Sequence, residues 1–179
     1  MRVVGGIYKR RLLEWPDDVK HIRPTKDRIR EAIFSALGPL DDLTSLDLYS
    51  GSGAMGIESL SRRCKFCTFV DNNKIAIETT KKNLASLNIK NAQVIFKNDL
   101  QAIEEFKEKN TKFDLIFLDP PYKEGKYEEI IKLFIDNNLV NSHYVFVLET
   151  DREINIEDNW YIKRKDYQYG EVKVIILWS

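Results

Sequence analysis

The sequence predicts an α/β fold: a mostly parallel sheet of seven strands with helices on both faces, closed by an antiparallel hairpin at the C-terminal end. Short apolar runs of strand length alternate with longer amphipathic runs of helical length across residues 44–149. Such alternation is typical of βα units, whose strands pair in parallel. Two further apolar runs follow, at about 160–166 and 171–178, joined around Tyr169-Gly170. A short connection of this kind predicts an antiparallel pair.

Each element has its own signal in the sequence. The first helix is predicted to begin with an N-cap at Thr25, after Pro24, and to end at Gly38-Pro39. Its apolar residues recur at the spacing of one buried stripe, namely Ile29, Ala32, Ile33, Ala36 and Leu37. Apolar runs predict five strands, at about 44–49, 66–71, 92–96, 113–118 and 143–149. Amphipathic runs predict four helices, at about 54–63, 73–87, 99–109 and 125–137.

Length and composition indicate a single domain. The 179 residues suffice for one well-buried core, and 43% hydrophobic with 31% charged residues is ordinary for a soluble protein. We expect a basic N-terminal arm over residues 1–24 and a core over residues 25–179. The apolar runs are too short to span a membrane, and residues 1–6 lack the apolar core of a signal peptide. The expected location is therefore the cytoplasm.

Charge is distributed unevenly along the chain, although the net charge is zero. Residues 1–30 carry nine basic side chains against four acidic ones, and the rest of the chain balances this excess. A local basic segment can bind phosphate groups on an otherwise neutral protein. A solvated charged surface is the alternative, and charge alone does not choose between the two.

A glycine-rich turn follows the first predicted strand. Gly51, Gly53 and Gly56 match the G-x-G-x-x-G spacing, and Asp71 ends the second predicted strand 20 residues after Gly51. Glycines let the backbone turn tightly and approach a ligand where a helix presents free N–H groups. The same pattern binds dinucleotides, so the glycines alone do not choose between NAD and S-adenosylmethionine. In both cofactors the Asp71 carboxylate can accept hydrogen bonds from ribose hydroxyls.

Acidic residues at three strand ends favour S-adenosylmethionine. Asp47 lies four residues before Gly51, where its charge would repel a pyrophosphate but attract the ammonium group of a methionine moiety. Asn98-Asp99 ends the third predicted strand and adds a carboxylate that can accept from an adenine N6 amine. Each carboxylate alone also suits a helix N-cap or a surface position. Together with Asp71 they indicate a cationic ligand that contains adenosine.

The fourth predicted strand leads into Asp119-Pro120-Pro121-Tyr122. Neither proline has a backbone N–H and each restricts the residue before it, so this loop is a stiff group of hydrogen-bond acceptors. Acceptors beside an aromatic ring suit a planar group whose exocyclic NH2 is held by hydrogen bonds while its ring is stacked. The tetrapeptide therefore indicates a nucleobase amine as the group that is bound.

Three segments together resemble one known family. They are Arg23-Pro24-Thr25-x-Asp27-Arg28-x-Arg30-Glu31, Gly51-Ser52-Gly53 and Asp119-Pro120-Pro121-Tyr122. The combination is similar to the RsmD family of bacterial small-subunit rRNA guanine-N2 methyltransferases, and the likeness covers nearly the whole chain. It implies a Rossmann-like class I methyltransferase fold with S-adenosylmethionine as cofactor. It also implies methylation of a guanine of the 966 type in 16S rRNA, with ribosomal RNA or the small ribosomal subunit as partner of a monomer.

The resemblance also implies which residues bind the cofactor. They are Asp47, Gly51 and Gly53 for the methionine end, Asp71 for the ribose, and Asn98 with Asp99 for the adenine. The family often has a bulky apolar residue directly after the ribose carboxylate, but this chain has Asn72 there. Leu100 is the substitute candidate for packing against the adenine.

For the target base, the resemblance implies that Asp119 and the Pro120 carbonyl hold the amine while Tyr122 stacks on the ring. The residues expected to contact RNA or border its cleft are Arg10, Arg11, Arg23, Thr25 and Arg28. The sequence leaves other functions open. An adenine-N6 or other exocyclic-amine methyltransferase would use the same tetrapeptide, and an NAD-dependent oxidoreductase would use the same glycines. A non-catalytic RNA-binding module with this fold is the third alternative.

The remaining cysteine, histidine and tryptophan residues carry no predicted chemistry. Cys64 and Cys67 form a lone C-x-x-C that, with the two histidines, lacks any recurring zinc spacing, so we expect reduced buried thiols and no metal. The tryptophans are expected to pack in the core or the hairpin; they are Trp15, Trp160 and Trp178. Glu149 ends the fifth predicted strand near the expected pocket without an assigned role.

Overall fold

The computed structural model describes residues 1–16, 27–121 and 126–179. Within these ranges seven strands form one sheet: β1 (Thr44–Asp47), β2 (Phe66–Asp71), β3 (Ala92–Phe96), β4 (Phe113–Leu118), β5 (Val140–Thr150), β6 (Lys163–Tyr169) and β7 (Val172–Trp178). Their order across the sheet is β3-β2-β1-β4-β5-β7-β6. The strands β1 to β5 are parallel, whereas β7 is antiparallel to both β5 and β6. The predicted α/β fold with a C-terminal hairpin is confirmed.

The helices of the described chain pack on both faces of this sheet: α1 (Asp27–Leu37), α2 (Ala54–Ser61), α3 (Lys74–Ser86), α4 (Asp99–Glu108) and α5 (Tyr127–Asp136). Apolar side chains of α1, α2 and α3 form one buried cluster with the sheet, and those of α4 and α5 form another. The central strand β4 contributes to both clusters, with Leu115 and Phe117 towards α1 and with Ile116 and Leu118 towards α5. This double burial explains why β4 is almost continuously apolar.

Helix ends coincide with capping residues. The side chain of Asn73 caps α3, and Asn98 forms a capping box with Gln101 at the start of α4. At the other end of a helix, Gly38 follows α1 with a φ of 78°, a left-handed conformation that glycine adopts without strain. The predicted end of α1 at Gly38 is confirmed.

The hairpin strand β6 differs from its predicted range of about 160–166. Residues Asp158–Trp160 form a turn of 3-10 helix, and Trp160 is buried in the cluster with α4 and α5. Because this side chain is held in the core, the strand begins only at Lys163 and extends to Tyr169. The turn into β7 follows at Gly170, whose φ is 66°.

Residues 1–16, which belong to the predicted N-terminal arm, pack against the helices. Val3 is buried in the cluster with α1, α2 and α3. Two backbone N–H groups of the segment donate to side chains of the helices, one to Glu58 on α2 at 2.8 Å and one to Asn83 on α3 at 2.7 Å. Residues 17–24 lie outside the described ranges.

The strand order creates a switch point between β1 and β4. From β1 the chain continues outward to β2 and β3, whereas from β4 it continues to the other side through β5, β7 and β6. In parallel α/β sheets the crevice for a ligand lies beyond the carboxyl ends of the two strands at such a point. The fold therefore places the end of β1 beside the end of β4, at Asp47 and Leu118.

Candidate active site

A cleft opens at the carboxyl ends of β1, β4 and β5. It lies at the switch point, where the fold predicts a ligand. The residues that line it come from the N-terminal segment, α1, the turn after β1, the start of α2 and the ends of the three strands: Met1, Trp15, Ile33, Asp47, Tyr49, Ser50, Gly51, Ser52, Ala54, Met55, Phe117, Leu118, Asp119, Val147 and Glu149. Of the predicted site residues, Asp47, Gly51 and Asp119 share this cleft.

The glycine-rich turn is held by backbone hydrogen bonds. The N–H of Ser50 donates to the Val70 carbonyl at 2.9 Å, and the N–H of Gly53 donates to the Ser50 carbonyl at 2.7 Å. Gly51 and Gly53 both have positive φ, 54° and 79°. A Cβ on Gly53 would also lie 3.0 Å from Thr80 Cγ2, so a side chain there would crowd Thr80 as well as strain the backbone.

The third glycine of the motif has a packing role. A Cβ on Gly56 would lie 2.3 Å from the Phe69 ring and 2.7 Å from Cys67 Sγ. Gly56 therefore lets α2 approach β2 closely, which places the start of α2 at the cleft.

Asp47 connects the end of β1 to the start of α2. Its carboxylate accepts a hydrogen bond of 2.9 Å from the N–H of Gly56, and the side chain is only 4% exposed. Burial raises the pKa of Asp47 to about 7, the hydrogen bond from Gly56 opposes this rise, and the charge of Asp71 adds to it. The cleft thus has a carboxyl group at its base that changes charge near neutral pH.

Asp71 holds the turn from the neighbouring strand. Its Oδ2 accepts from the N–H of Gly51 at 2.8 Å, and its Oδ1 accepts from the N–H of Asn73 at 2.8 Å. Burial raises the pKa of Asp71, and hydrogen bonds from Gly51, Asn73 and Asn72 partly offset the rise. Asp71 is therefore a support of the glycine turn, with a side chain that is still partly exposed.

The predicted adenine residues lie beside the cleft lining rather than in it. Tyr49, which lines the cleft, donates its hydroxyl to Asp99 Oδ2 at 2.8 Å. Asp99 Oδ1 accepts from the Leu100 N–H at 2.8 Å, and the Leu100 side chain is exposed. The side-chain oxygen of Asn98 caps α4 by accepting from Gln101. Asn98 is thus engaged with its own helix, while Asp99 is joined to the cleft through Tyr49.

Asp119 extends from β4 into the cleft as a partly buried side chain. The pKa of its carboxyl group lies well above the usual range, first because of burial and then because of the nearby charges of Glu149 and Asp47. Pro120 is buried and Pro121 is exposed. Tyr122, the predicted stacking residue, lies outside the described residues.

The predicted RNA-binding residues that the structure describes lie on different elements. Arg28 is exposed on α1, and Arg10 is exposed in the N-terminal segment. Arg11 is exposed as well, and its guanidinium donates to the Ser86 carbonyl at the end of α3 at 3.2 Å. Arg23 and Thr25 lie outside the described residues.

Several cleft residues had no functional role assigned from the sequence. Trp15, which was expected to pack in the core or the hairpin, lines the cleft as a partly buried side chain. Glu149, with no role assigned, lines it too and is buried. Ser50 has a buried hydroxyl oxygen with no hydrogen-bond partner among the described residues. Its position directly before Gly51, the first glycine of the turn, was the sequence feature that could have identified it as a site residue.

In the part of the chain that the structure describes, no three His, Cys, Asp or Glu side chains form a group that could hold a metal ion. Cys64 and Cys67 are free and buried. Burial raises the pKa of Cys64 to about 11, and it also raises the pKa of Cys67 well above its usual value. The prediction of reduced buried thiols is confirmed. Among the described helices, none is long and apolar enough to cross a membrane.

Comparison with known proteins identifies relatives over nearly the whole chain. The model of the family described as Conserved hypothetical protein 95 matches residues 1–178. Ribosomal RNA small subunit methyltransferase D of Escherichia coli is 34% identical over 169 residues, which cover 92% of this chain and 83% of that protein. The protein of the same name from Haemophilus influenzae is 32% identical over 165 residues, 89% of this chain and 84% of that protein.

Comparison with solved structures identifies proteins of the same fold. The structure of yhhF from Escherichia coli has a TM-score of 0.86 at 32% identity, covering 99% of this chain and 97% of that one. SMU.776, solved in complex with SAH, shares the fold at a TM-score of 0.69 and 14% identity, covering 89% of this chain and 50% of that one. The chain therefore belongs to the family described as Conserved hypothetical protein 95, the RsmD family that includes the ribosomal RNA small subunit methyltransferases D.

Proposed function

We propose that this chain transfers a methyl group from S-adenosylmethionine to the exocyclic N2 amine of a guanine in small-subunit ribosomal RNA. One observation carries the proposal: Asp119 and the glycine-rich turn at Gly51 line the same cleft at the switch point. An acceptor for an amine thus lies beside a turn suited to a nucleoside cofactor. The names of the relatives from Escherichia coli and Haemophilus influenzae support ribosomal RNA as the substrate class.

The cleft residues fit S-adenosylmethionine. Three acidic side chains, Asp47, Asp119 and Glu149, face a small volume, and such a site favours a ligand with positive charge. The buried Ser50 hydroxyl, without a partner in the described ranges, supplies a further polar atom for the ligand. A pyrophosphate would meet the same carboxylates with repulsion, which disfavours NAD. When bound, the cofactor supplies a methyl group on a positively charged sulfur.

We assign the amine to Asp119 and the Pro120 carbonyl. A guanine N2 lone pair is delocalised into the ring, so the amine is a weak nucleophile. Acceptors that hold its two N–H groups favour the pyramidal form and stabilise the positive charge that grows on nitrogen. The cofactor would supply its methyl group to this nitrogen and leave as a neutral thioether, and the nitrogen would then lose one N–H proton to solvent. The chain needs no separate base for this step.

The RNA must present the base outside a helix. A paired guanine has its N2 amine inside the duplex, so the base is unpaired or flipped into the cleft. We assign the stacking on the base to Tyr122, a contact worth roughly 1–3 kcal/mol. Contacts to phosphates are assigned to Arg10, Arg11 and Arg28. The chain would act on RNA or on the assembled small subunit as a cytoplasmic monomer.

The test is methyl transfer to small ribosomal subunits from a strain that lacks the enzyme, followed by mapping of the modified nucleotide. We expect N2-methylguanine, at a position of the 966 type. Methyl transfer to an adenine N6 would instead establish an adenine-N6 methyltransferase, the alternative that the sequence leaves open. Calorimetric titration should show binding of S-adenosylmethionine and none of NAD, and the reverse result would establish an oxidoreductase.

Replacement of Asp119 tests its assigned role. Asp119→Asn should lower methyl transfer by roughly 10²–10³-fold because the charged acceptor of the amine is lost. The affinity for S-adenosylmethionine should change little. The matched control is Asp136→Asn, on the exposed end of α5, which should keep full activity. An Asp119→Asn variant with most of its turnover would remove this residue from the reaction.

A further inference from the structure

Glu149 and Asp119 occupy equivalent places on neighbouring strands. Leu118 of β4 pairs with Leu148 of β5 in parallel register, so Asp119 and Glu149 come next at the same level. Neighbouring strands lie about 4.8 Å apart. Both side chains line the cleft, and Glu149 is only 8% exposed. The two carboxyl groups therefore face the same small volume.

The main chain at Glu149 is fixed from several sides. Its strand neighbour on β7 is Val174, which is fully buried. Its carbonyl accepts a hydrogen bond of 2.6 Å from the hydroxyl of Tyr127, a buried residue at the start of α5. A side chain on such a rigid support can select a ligand group by position.

The charges around this pair indicate what the ligand must offer. The charge of Glu149 raises the pKa of Asp119, as expected for two carboxyl groups that line the same cleft. The pKa of the buried Arg30 is lowered mainly by burial, and the charges of Asp27, Glu58 and Glu149 oppose this. Two neighbouring acceptors that repel each other are stabilised best by a ligand edge with adjacent hydrogen-bond donors.

Guanine is the base with such an edge. Its N1–H and its N2 amine are neighbouring donors, whereas adenine places the N1 lone pair, an acceptor, beside its N6 amine. A carboxylate that meets N1 would bind guanine by a charge-assisted hydrogen bond and repel adenine. Enzymes commonly recognise an extruded base through this Watson–Crick edge.

We infer that Glu149 is the residue that selects guanine, by accepting the N1–H of the target base while Asp119 accepts from the N2 amine. The inference rests on the proposed function and assigns base selection within the same cleft to one side chain. It separates guanine-N2 from adenine-N6 chemistry, which Asp119-Pro120-Pro121-Tyr122 alone does not.

The experiment uses the full chain and an RNA substrate in which the target guanine is replaced by 2-aminopurine. This base keeps the amine on C2 but has a lone pair at N1. Wild type should prefer guanine by roughly 100-fold or more in kcat/KM, since a site built to bind an N–H rejects an analogue that lacks it. In Glu149→Gln the amide can donate to N1, so the preference should fall to within about tenfold.

The change in preference between wild type and variant cancels the intrinsic reactivity of the two amines. An exposed control, Glu108→Gln on α4, should keep the wild-type preference. Glu149→Asp retains a carboxylate, so it should keep the preference for guanine even at a lower rate, and it replaces Glu149→Gln if that variant does not fold.

Three results would overturn the inference. Equal use of both bases by wild type would do so, as would an unchanged preference in Glu149→Gln or a lost preference in Glu149→Asp. A wild type that methylates no guanine would overturn the proposed function instead.

Discussion

The hydroxyl of Tyr49 donates a hydrogen bond of 2.8 Å to Asp99 Oδ2. This contact joins the turn after β1, which lines the cleft, to the start of α4, which lies outside the lining. It also orients one carboxylate oxygen while the Leu100 N–H holds the other. The adenine end of the proposed cofactor site therefore depends on a link between two elements that are distant in sequence.

Loss of this link should weaken cofactor binding. In Tyr49→Phe the ring remains, but the Asp99 carboxylate loses a donor worth roughly 1–3 kcal/mol. We expect the Kd for S-adenosylmethionine, measured by calorimetry, to rise about tenfold. The matched control is Tyr161→Phe, which removes a hydrogen bond of the same length to Asp158 at an exposed position. Equal affinities of the two variants would contradict the role of Tyr49.

Asp47 should make stability depend on pH in an unusual direction. Its pKa is about 7 in the folded chain and near 3.8 in the unfolded chain, so the folded state binds the extra proton between these values. Its contribution to stability is complete below about pH 4 and is lost as pH rises through 7. Asp47→Asn keeps an oxygen acceptor for Gly56 without the charge. Its free energy of unfolding should exceed that of wild type at pH 8, by at most about 4 kcal/mol, with no advantage near pH 4.

Urea unfolding at a series of pH values measures this difference. Asp41→Asn, which removes an exposed carboxylate after α1, is the control and should follow wild type at every pH. Parallel pH profiles of Asp47→Asn and wild type would show that Asp47 is ionised normally in the fold.

Gly56 should be intolerant of even one methyl group. An alanine normally stabilises a helix relative to glycine, but here its Cβ would lie 2.3 Å from the Phe69 ring. Gly56→Ala should therefore lower the free energy of unfolding by roughly 1–3 kcal/mol. Ser35→Ala, exposed on α1, should change it by less than about 0.5 kcal/mol. The double variant Gly56→Ala/Phe69→Leu should recover part of the loss, and a stable single variant would contradict the close approach of α2 to β2.

The basic side chains on the N-terminal segment and α1 should contribute to RNA affinity through phosphate contacts. The variant replaces Arg10, Arg11 and Arg28 by alanine. It should bind RNA more weakly, and the slope of log K against log salt concentration should become shallower by about 2. The control variant also removes three positive charges, by replacing Lys107, Lys109 and Lys132 with alanine. These side chains lie on α4, just after α4 and on α5. Equal effects of both triple variants would show that only net charge matters.

Much of this fold could be predicted because it follows from local patterns. Apolar runs such as 113–118 have the length of strands, and Gly38 ends α1 through its own backbone preference. The meeting of Asp47, Gly51 and Asp119 at one cleft follows from parallel strands alone, since their carboxyl ends share one edge of the sheet.

The rest depends on contacts between distant segments. Trp15 reaches the cleft only because residues 1–16 dock on α2 and α3, which no local pattern indicates. The place of Glu149 beside Asp119 depends on the register of β5 against β4. Asn98 has a sequence position that suits either a ligand or a helix cap, and in the fold its side chain caps α4.

The two sheltered cysteines give the chain an internal reporter. Cys64 and Cys67 are 2% and 0% exposed beneath α2, and burial disfavours their reactive thiolate forms. An aromatic disulfide reagent should therefore modify them only when α2 detaches or the whole chain opens. The rate of colour development then measures how often α2 separates from β2 or the chain unfolds. Slower development with a bound nucleoside would report occupancy of the cleft without any added label.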